Sequence, residues 1–194
     1  GAGEPPSREA WLIARMCALV GVPPSPAGPG DDAAVLERPA AGRRVLTTDA
    51  LVEGTHFLRA HPPELLGHKL VAVNLADVAA MGAQPEAVTL AAALPRDVPD
   101  AWWEAFARGL GAALTEAGAA LVGGDVVRSP GPLMLTLTAW GVTAGEAVLT
   151  RSGGRSGDLA GFNMLAGSIF LFGPTGIRNG AGMHRGTIGL FSDS

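Results

Sequence analysis

The chain has 194 residues, 47% of them hydrophobic and 16% charged, which supplies a sizeable core and excludes global disorder. Its 14 Lys and Arg stand against 18 Asp and Glu for a net charge of −4, with no basic run to follow a phosphate backbone, so no nucleic-acid partner is expected. The single cysteine, Cys17, excludes an internal disulfide and a thiolate metal cluster. No apolar run reaches the ~20 residues needed to span a bilayer, and the opening "GAGEPPSREAW" lacks a basic-then-apolar signal, so a cytoplasmic protein without a membrane partner is expected.

In chain order, Ser7 is placed to cap a helix whose apolar residues Leu12, Met16, Leu19 and Val20 recur at helical spacing. Gly21 ends that helix, and "PPSPAGPG" reads as an extended loop leading to "GDDAAVL". "RRVLTTDALV" is β-branched and apolar, which predicts a buried strand ending near Thr47, Thr48 and Asp49. "PPELLGHKLVAVNLADVAAMGA" predicts a helix stopped by Gly82, and "EAVTLAAALP" the next strand. Asp97 is placed to cap a third helix, with Pro99 in its first turn and Trp103, Phe106, Leu110 and Leu114 as its core stripe. Gly118 closes it, "AALVGG" predicts a short strand, and "LMLTLTAWGV" a long one. The resulting order points to an α+β or α/β layer in which helices pack on a sheet, and an α+β fold is the expectation.

Acidic residues recur at the predicted element ends. Asp31 and Asp32 follow a Gly-rich loop, Asp49 follows two threonines, Asp77 interrupts an apolar helix and Asp125 follows "LVGG". An acid buried without compensation would be neutralised or would unfold the chain. A hard cation resolves this: Mg²⁺ takes oxygen ligands and bridges carboxylates to substrate phosphates. Carboxylates from several elements, with hydroxyls from Thr47 and Thr48, suit such ions, and neighbouring glycines let the backbone approach phosphate oxygens. The alternative for each acid is a solvated charge or a cap. No Walker A motif, nucleophile elbow or H-x-x-x-H pair occurs.

"GDDAAVL", "VLTTDALVEGTHF", "KLVAVNLADVAAMGAQPEAVTLAAALP", "LVGGDVVRSPGPLMLTLTAWG" and "LTRSGGRSGD" together resemble the thiamine-monophosphate kinase family. That family lies in the ATP-binding superfamily of aminoimidazole ribonucleotide synthetase and selenophosphate synthetase, and the likeness runs from about residue 7 to 159. The resemblance implies a mixed sheet with helices on one face, closing into a barrel across a homodimer. It implies ATP-dependent phosphorylation of thiamine monophosphate to the diphosphate with Mg²⁺. Asp31, Asp49, Asp77 and Asp125 would be metal ligands, with Thr47 and Thr48 assisting and Asp32 beside them. Gly123 and Gly124 would approach the ATP phosphates, Arg151 would neutralise phosphate charge, and His56 would lie towards the thiamine phosphate. Direct in-line transfer needs positioning and charge neutralisation, and no protein nucleophile.

The expected organisation is a Mg-ATP-binding domain over 1–159 and a glycine-rich tail over 160–194, where the family would continue into a second domain. Residues 161–191 resemble the glycine-rich β-helix repeats found in formylmethanofuran dehydrogenase and in the glutamate synthase C-terminal domain. Two rival readings stand beside the kinase: another superfamily member, and an idle nucleotide-binding or dimerisation fragment.

Overall fold

The computed structural model describes residues 7–23 and 39–149 and the strands at 168–172 and 187–191. The chain forms two compact units, Gly1–Ala147 and Val148–Ser194. In the first, the elements are α1 (Arg8–Val20), β1 (Arg44–Val52), α2 (Pro63–Ala80), β2 (Ala83–Leu94), α3 (Asp100–Ala117), β3 (Ala120–Arg128) and β4 (Met134–Thr143). In the second, β5 (Ser168–Phe172) and β6 (Thr187–Phe191) pair in parallel. No helix of the described residues is long and apolar enough to cross a membrane.

The four strands of the first unit form a mixed sheet in the order β1-β4-β2-β3. β4 runs antiparallel to both β1 and β2, while β2 and β3 are parallel, joined through α3. Alternation along β4 divides its two faces. Leu135, Leu137 and Ala139 are wholly buried on the helical side, and Met134, Thr136, Thr138, Trp140 and Val142 point the other way. Among the described residues, helices cover one face only, as expected for this α+β arrangement. On the open face, Leu46, Val127 and Met134 are 61%, 51% and 40% exposed.

Local chemistry explains the helices. The Ser7 hydroxyl accepts the Ala10 N–H at 3.1 Å, and Gly21 closes α1 in the left-handed conformation. On α3 the predicted stripe of Trp103, Phe106, Leu110 and Leu114 is buried, and the Trp103 indole donates to Leu12 O at 2.9 Å, fastening α1 to α3. α2 and α3 approach closely because Gly67 and Gly109 lack side chains: a Cβ on either would collide with the backbone of the opposite helix.

Three expectations are corrected. The β1 strand is largely exposed, and Asp49 sits in its interior, not at its end. β3 continues through both glycines and Asp125 to Arg128, since β2 supplies a parallel ladder along it. Asp97 does not cap α3; Pro99 holds the cap position, its carbonyl accepting from Trp102 N–H at 3.1 Å, while Asp97 lies 3.5 Å from Arg59 Nη1.

Candidate functional site

The strand register sorts the predicted residues into two groups. Thr47 and Asp49 pair with Ala139 and Leu137, so both project towards the helical face at the β1 side of the sheet. There Thr47 Oγ1 donates to Asp77 Oδ2 at 3.3 Å, and the Asp49 backbone N–H donates to Asn74 Oδ1 at 3.0 Å. Asn74 is wholly buried, and its Nδ2 donates to Leu70 O at 2.9 Å. Asn74 and Asp77 are one helical turn apart, so the same face of α2 holds the strand and presents the carboxylate beside it. Asn74 is the residue sequence reasoning missed; its signal was a lone amide three positions before the acid in an otherwise apolar helix.

Thr48 points to the opposite face, as the neighbour of Thr47 must. Its Oγ1 lies 3.0 Å from Thr138 Oγ1 and donates to Leu137 O at 3.1 Å. Thr48, Thr138, Thr89 and Gly123 form one row across the open face. Ala50, Thr136, Ala91 and Asp125 form the next. Three strand spacings, about 14 Å, separate β1 from β3. Asp49 and Asp125 therefore lie on opposite faces at opposite sides of the described sheet. Among the described residues no group of three or more His, Cys, Asp and Glu is placed to hold a metal ion.

Asp77 does not lie buried in α2, contrary to what its apolar neighbours in the sequence suggest. Asp77 is exposed, and so are Asp49 and Asp125. The apolar neighbours Leu75 and Val78 turn inward, whereas Ala72, Ala76, Ala79 and Ala80 share the exposed side with Asp77. Asp49, Asp77 and Asp125 form no ion pair among the described residues. Asp31, Asp32 and Arg151 lie outside the described residues.

The two glycines before Asp125 differ in kind. The β2–β3 register shifts between Val88 and Thr89, forming a bulge, and Gly124 takes φ +155° there. A Cβ on Gly124 would strike the Leu90 carbonyl, so packing alone demands glycine. On Gly123 a Cβ would meet only Thr89 Cγ2 at an ordinary 3.5 Å. Packing does not account for Gly123, and its bare position leaves the open face free for close approach by a ligand.

His56 closes the turn after β1. Its Nδ1 accepts the Val52 N–H at 3.0 Å, which fixes the remaining ring proton of the neutral imidazole on Nε2, and its carbonyl accepts from Lys69 Nζ at 2.7 Å. The following loop is fastened by Arg59, whose Nε and Nη2 donate to Glu53 Oε1 and Oε2 at 2.8 and 2.7 Å. Glu53 Oε2 also accepts the Leu133 N–H at 3.1 Å. The Arg59 hydrogen bonds hold the Glu53 carboxyl below its ordinary pKa and raise that of Arg59. Cys17 is half-buried, and burial pushes its thiol up, away from nucleophilic use.

A mixed sheet backed by helices, with the exposed carboxylates Asp49, Asp77 and Asp125 at its two sides, defines the class of the first unit as an α+β domain. Residues 30–143, more than half of the chain, match the family described as AIR synthase related protein, N-terminal domain, and the chain belongs to that family. It is 46% identical over 131 residues to the thiamine-monophosphate kinase of Escherichia coli strain K12, covering 68% of this chain and 39% of that one. The crystal structure of thiamine-monophosphate kinase from Stenotrophomonas maltophilia K279a is similar at 39% identity and a TM-score of 0.58, covering 79% of this chain and 45% of that one. AaThiL complexed with AMPPCP and TMP is similar at 33% identity and a TM-score of 0.57, covering 62% of this chain and 38% of that one. The chain thus spans about two-fifths of the length of the curated relatives it matches.

Proposed function

We propose that this chain is the Mg-ATP-binding half of a thiamine-monophosphate kinase, an enzyme that transfers the γ-phosphoryl group of ATP to thiamine monophosphate. The observation that carries the reading is the 46% identity to the E. coli kinase over 131 residues, in a chain whose residues 30–143, which bear Thr47, Asp49, His56, Asp77, Gly123, Gly124 and Asp125, match the family. In the transfer a phosphate oxygen of thiamine monophosphate attacks the γ-phosphorus, the bond to the ADP oxygen breaks, and the β-phosphate carries the charge away.

The donor chemistry fits magnesium. Carboxylate and hydroxyl oxygens are its ligands, it keeps several waters, and it needs only one or two protein carboxylates besides substrate phosphates. Asp49 and Asp77, the latter bonded to Thr47, would hold such an ion at the α2–β1 rim, and Asp125 would serve on the open face. Asp31, and Arg151 towards phosphate, belong to the reading by resemblance. When bound, Mg²⁺ neutralises the β- and γ-phosphate oxygens. The residues of this chain orient and support: Asn74 fixes the Asp49 backbone, Thr47 holds the Asp77 carboxylate, and Gly123 allows close approach to phosphate. His56 lies towards the thiamine phosphate in this reading, with Nε2–H as its donor.

A homodimer belongs to the same proposal. Leu46, Val127 and Met134 leave an apolar surface on the open face, which a second copy would cover, closing the sheets into a barrel. A second copy also brings a second set of carboxylates, so a site divided within one chain is completed by its partner. Strands β5 and β6 are read as part of the glycine-rich β-helix that residues 161–191 resemble, the rest of which lies outside the described residues. The parallel register of Ser168 with Thr187, through Phe172 with Phe191, supports it. Coils of that kind need stacked neighbours to bury their faces.

A second reading is a nucleotide-binding fragment that does not complete the reaction. One experiment separates the two: incubate the chain with Mg-ATP and thiamine monophosphate, and follow both ATP binding and thiamine diphosphate by chromatography. Product supports the kinase in full. Binding without product restricts the chain to its nucleotide-binding half, and the absence of both would overturn the proposal.

A further inference from the structure

The carboxyl ends of the parallel strands β2 and β3 open into a cleft of about 610 Å³ that the carboxylate groups do not use. Its third wall is the first turns of α1, including Arg8, Glu9 and Leu12. The volume is that of a small-molecule site, and ligands of α/β sheets gather beyond the carboxyl ends of parallel strands. The walls include the buried apolar residues Leu12, Leu94 and Val126.

Two guanidiniums stand at this opening. Arg128 ends β3 in register with Leu94, and Arg96 follows Leu94 by two residues, so both belong to one end of the parallel pair. Neither makes an ion pair or a hydrogen bond among the described residues. Arg8 is committed elsewhere: it pairs with Asp100, donates to Val98 O at 3.4 Å and lies over the Trp11 ring. Among the described residues, the one opposing charge in the lining is Glu9. With Arg8 balanced by Asp100, Arg96 and Arg128 against Glu9 leave a net positive cleft.

We propose that this cleft binds a small phosphorylated molecule, with Arg96 and Arg128 on the phosphate and the apolar walls against its organic body. Arginine suits that role because its planar fork donates two parallel hydrogen bonds to a phosphate or carboxylate. The site requires no metal and stands whether or not the kinase reading holds.

The test uses the full chain in EDTA at physiological salt, titrated calorimetrically with inorganic pyrophosphate. Saturable binding is expected. Arg96→Ala and Arg128→Ala should each weaken it about tenfold, the loss of a charge-assisted hydrogen-bonding partner. Both side chains are exposed, so the melting temperature should stay unchanged. Asp49→Asn, at the far side of the described sheet, should bind as the parent does. Absence of binding, or a double arginine variant that binds like the parent, would overturn the proposal. So would binding lost in Asp49→Asn and kept in the arginine variants, since that places the anion at the carboxylates. Absence of Mg-ATP binding by the parent chain, with its metal-free pyrophosphate binding present, would count against the kinase reading alone.

Discussion

Replacing Asn74 by leucine isolates the joint between α2 and β1. The side chain is wholly buried and joins two backbone groups, Asp49 N–H at 3.0 Å and Leu70 C=O at 2.9 Å. Leucine fills a similar volume and satisfies neither. Leu70 C=O keeps its place in the helix ladder, so the group left without a partner is the Asp49 N–H. An orphaned buried donor costs about 1–3 kcal/mol, and this one is only part-buried, so about 1–2 kcal/mol is expected. For a unit of this size that lowers the melting temperature by about 2–8 °C. It should also reduce hydrogen-exchange protection of the Asp49 amide by about 5- to 30-fold, at about 1.4 kcal/mol per decade. Asn74→Asp gives a sharper sign. Its buried carboxylate still accepts from Asp49 but faces Leu70 C=O with a second acceptor, so the loss at neutral pH should exceed that of leucine. In acid the protonated carboxyl can donate to Leu70 O as the amide did, and stability should recover relative to the parent. An Asn74→Leu chain that melts with the parent and keeps its Asp49 amide protected would refute the reasoning.

The glycines should part company. Gly124→Ala forces a side chain into the Leu90 carbonyl at a backbone angle that L-residues rarely adopt, and should cost at least about 2 kcal/mol in urea denaturation. Gly123→Ala should fold normally and weaken nucleotide binding; equal destabilisation of the two would contradict the distinction. Glu53→Gln should lower stability at pH 7 by about 1–2 kcal/mol by weakening the fork with Arg59. Because the folded-state pKa of Glu53 is depressed, its contribution is present above the ordinary carboxylate pKa and lost as pH falls through the folded value. The gap between parent and variant, read from denaturation curves across pH, should therefore close in acid.

Much of the scaffold was legible because its signals are local. The α3 stripe follows from four residues at helical spacing, the α1 start from one hydroxyl, and β4 from one long apolar run. What failed depended on neighbours. β3 runs past two glycines and an acid that disfavour strands because β2 holds its backbone. Asp97 loses its expected cap role because the helix begins at Asp100, with Asp97 beside Arg59. The apolar run around Asp77 misleads because alanines lend a helix apolar character while lying on its surface. The candidate residues could be named from the sequence as acids and glycines, but their arrangement could not. Adjacent Thr47 and Thr48 must face opposite ways in a strand, and only the register reveals which acid each one accompanies.

In the proposed function Asp49 and Asp77 hold magnesium for a nucleotide triphosphate. That role is tested most directly by calorimetric titration of a non-hydrolysable ATP analogue in the presence and absence of Mg²⁺, on the parent, Asp49→Asn and Asp77→Ala chains. The account predicts magnesium-dependent binding by the parent, weakened more than about tenfold in each variant with the melting temperature unchanged, as exposed carboxylates allow. Variants that bind the magnesium complex as tightly as the parent would contradict it.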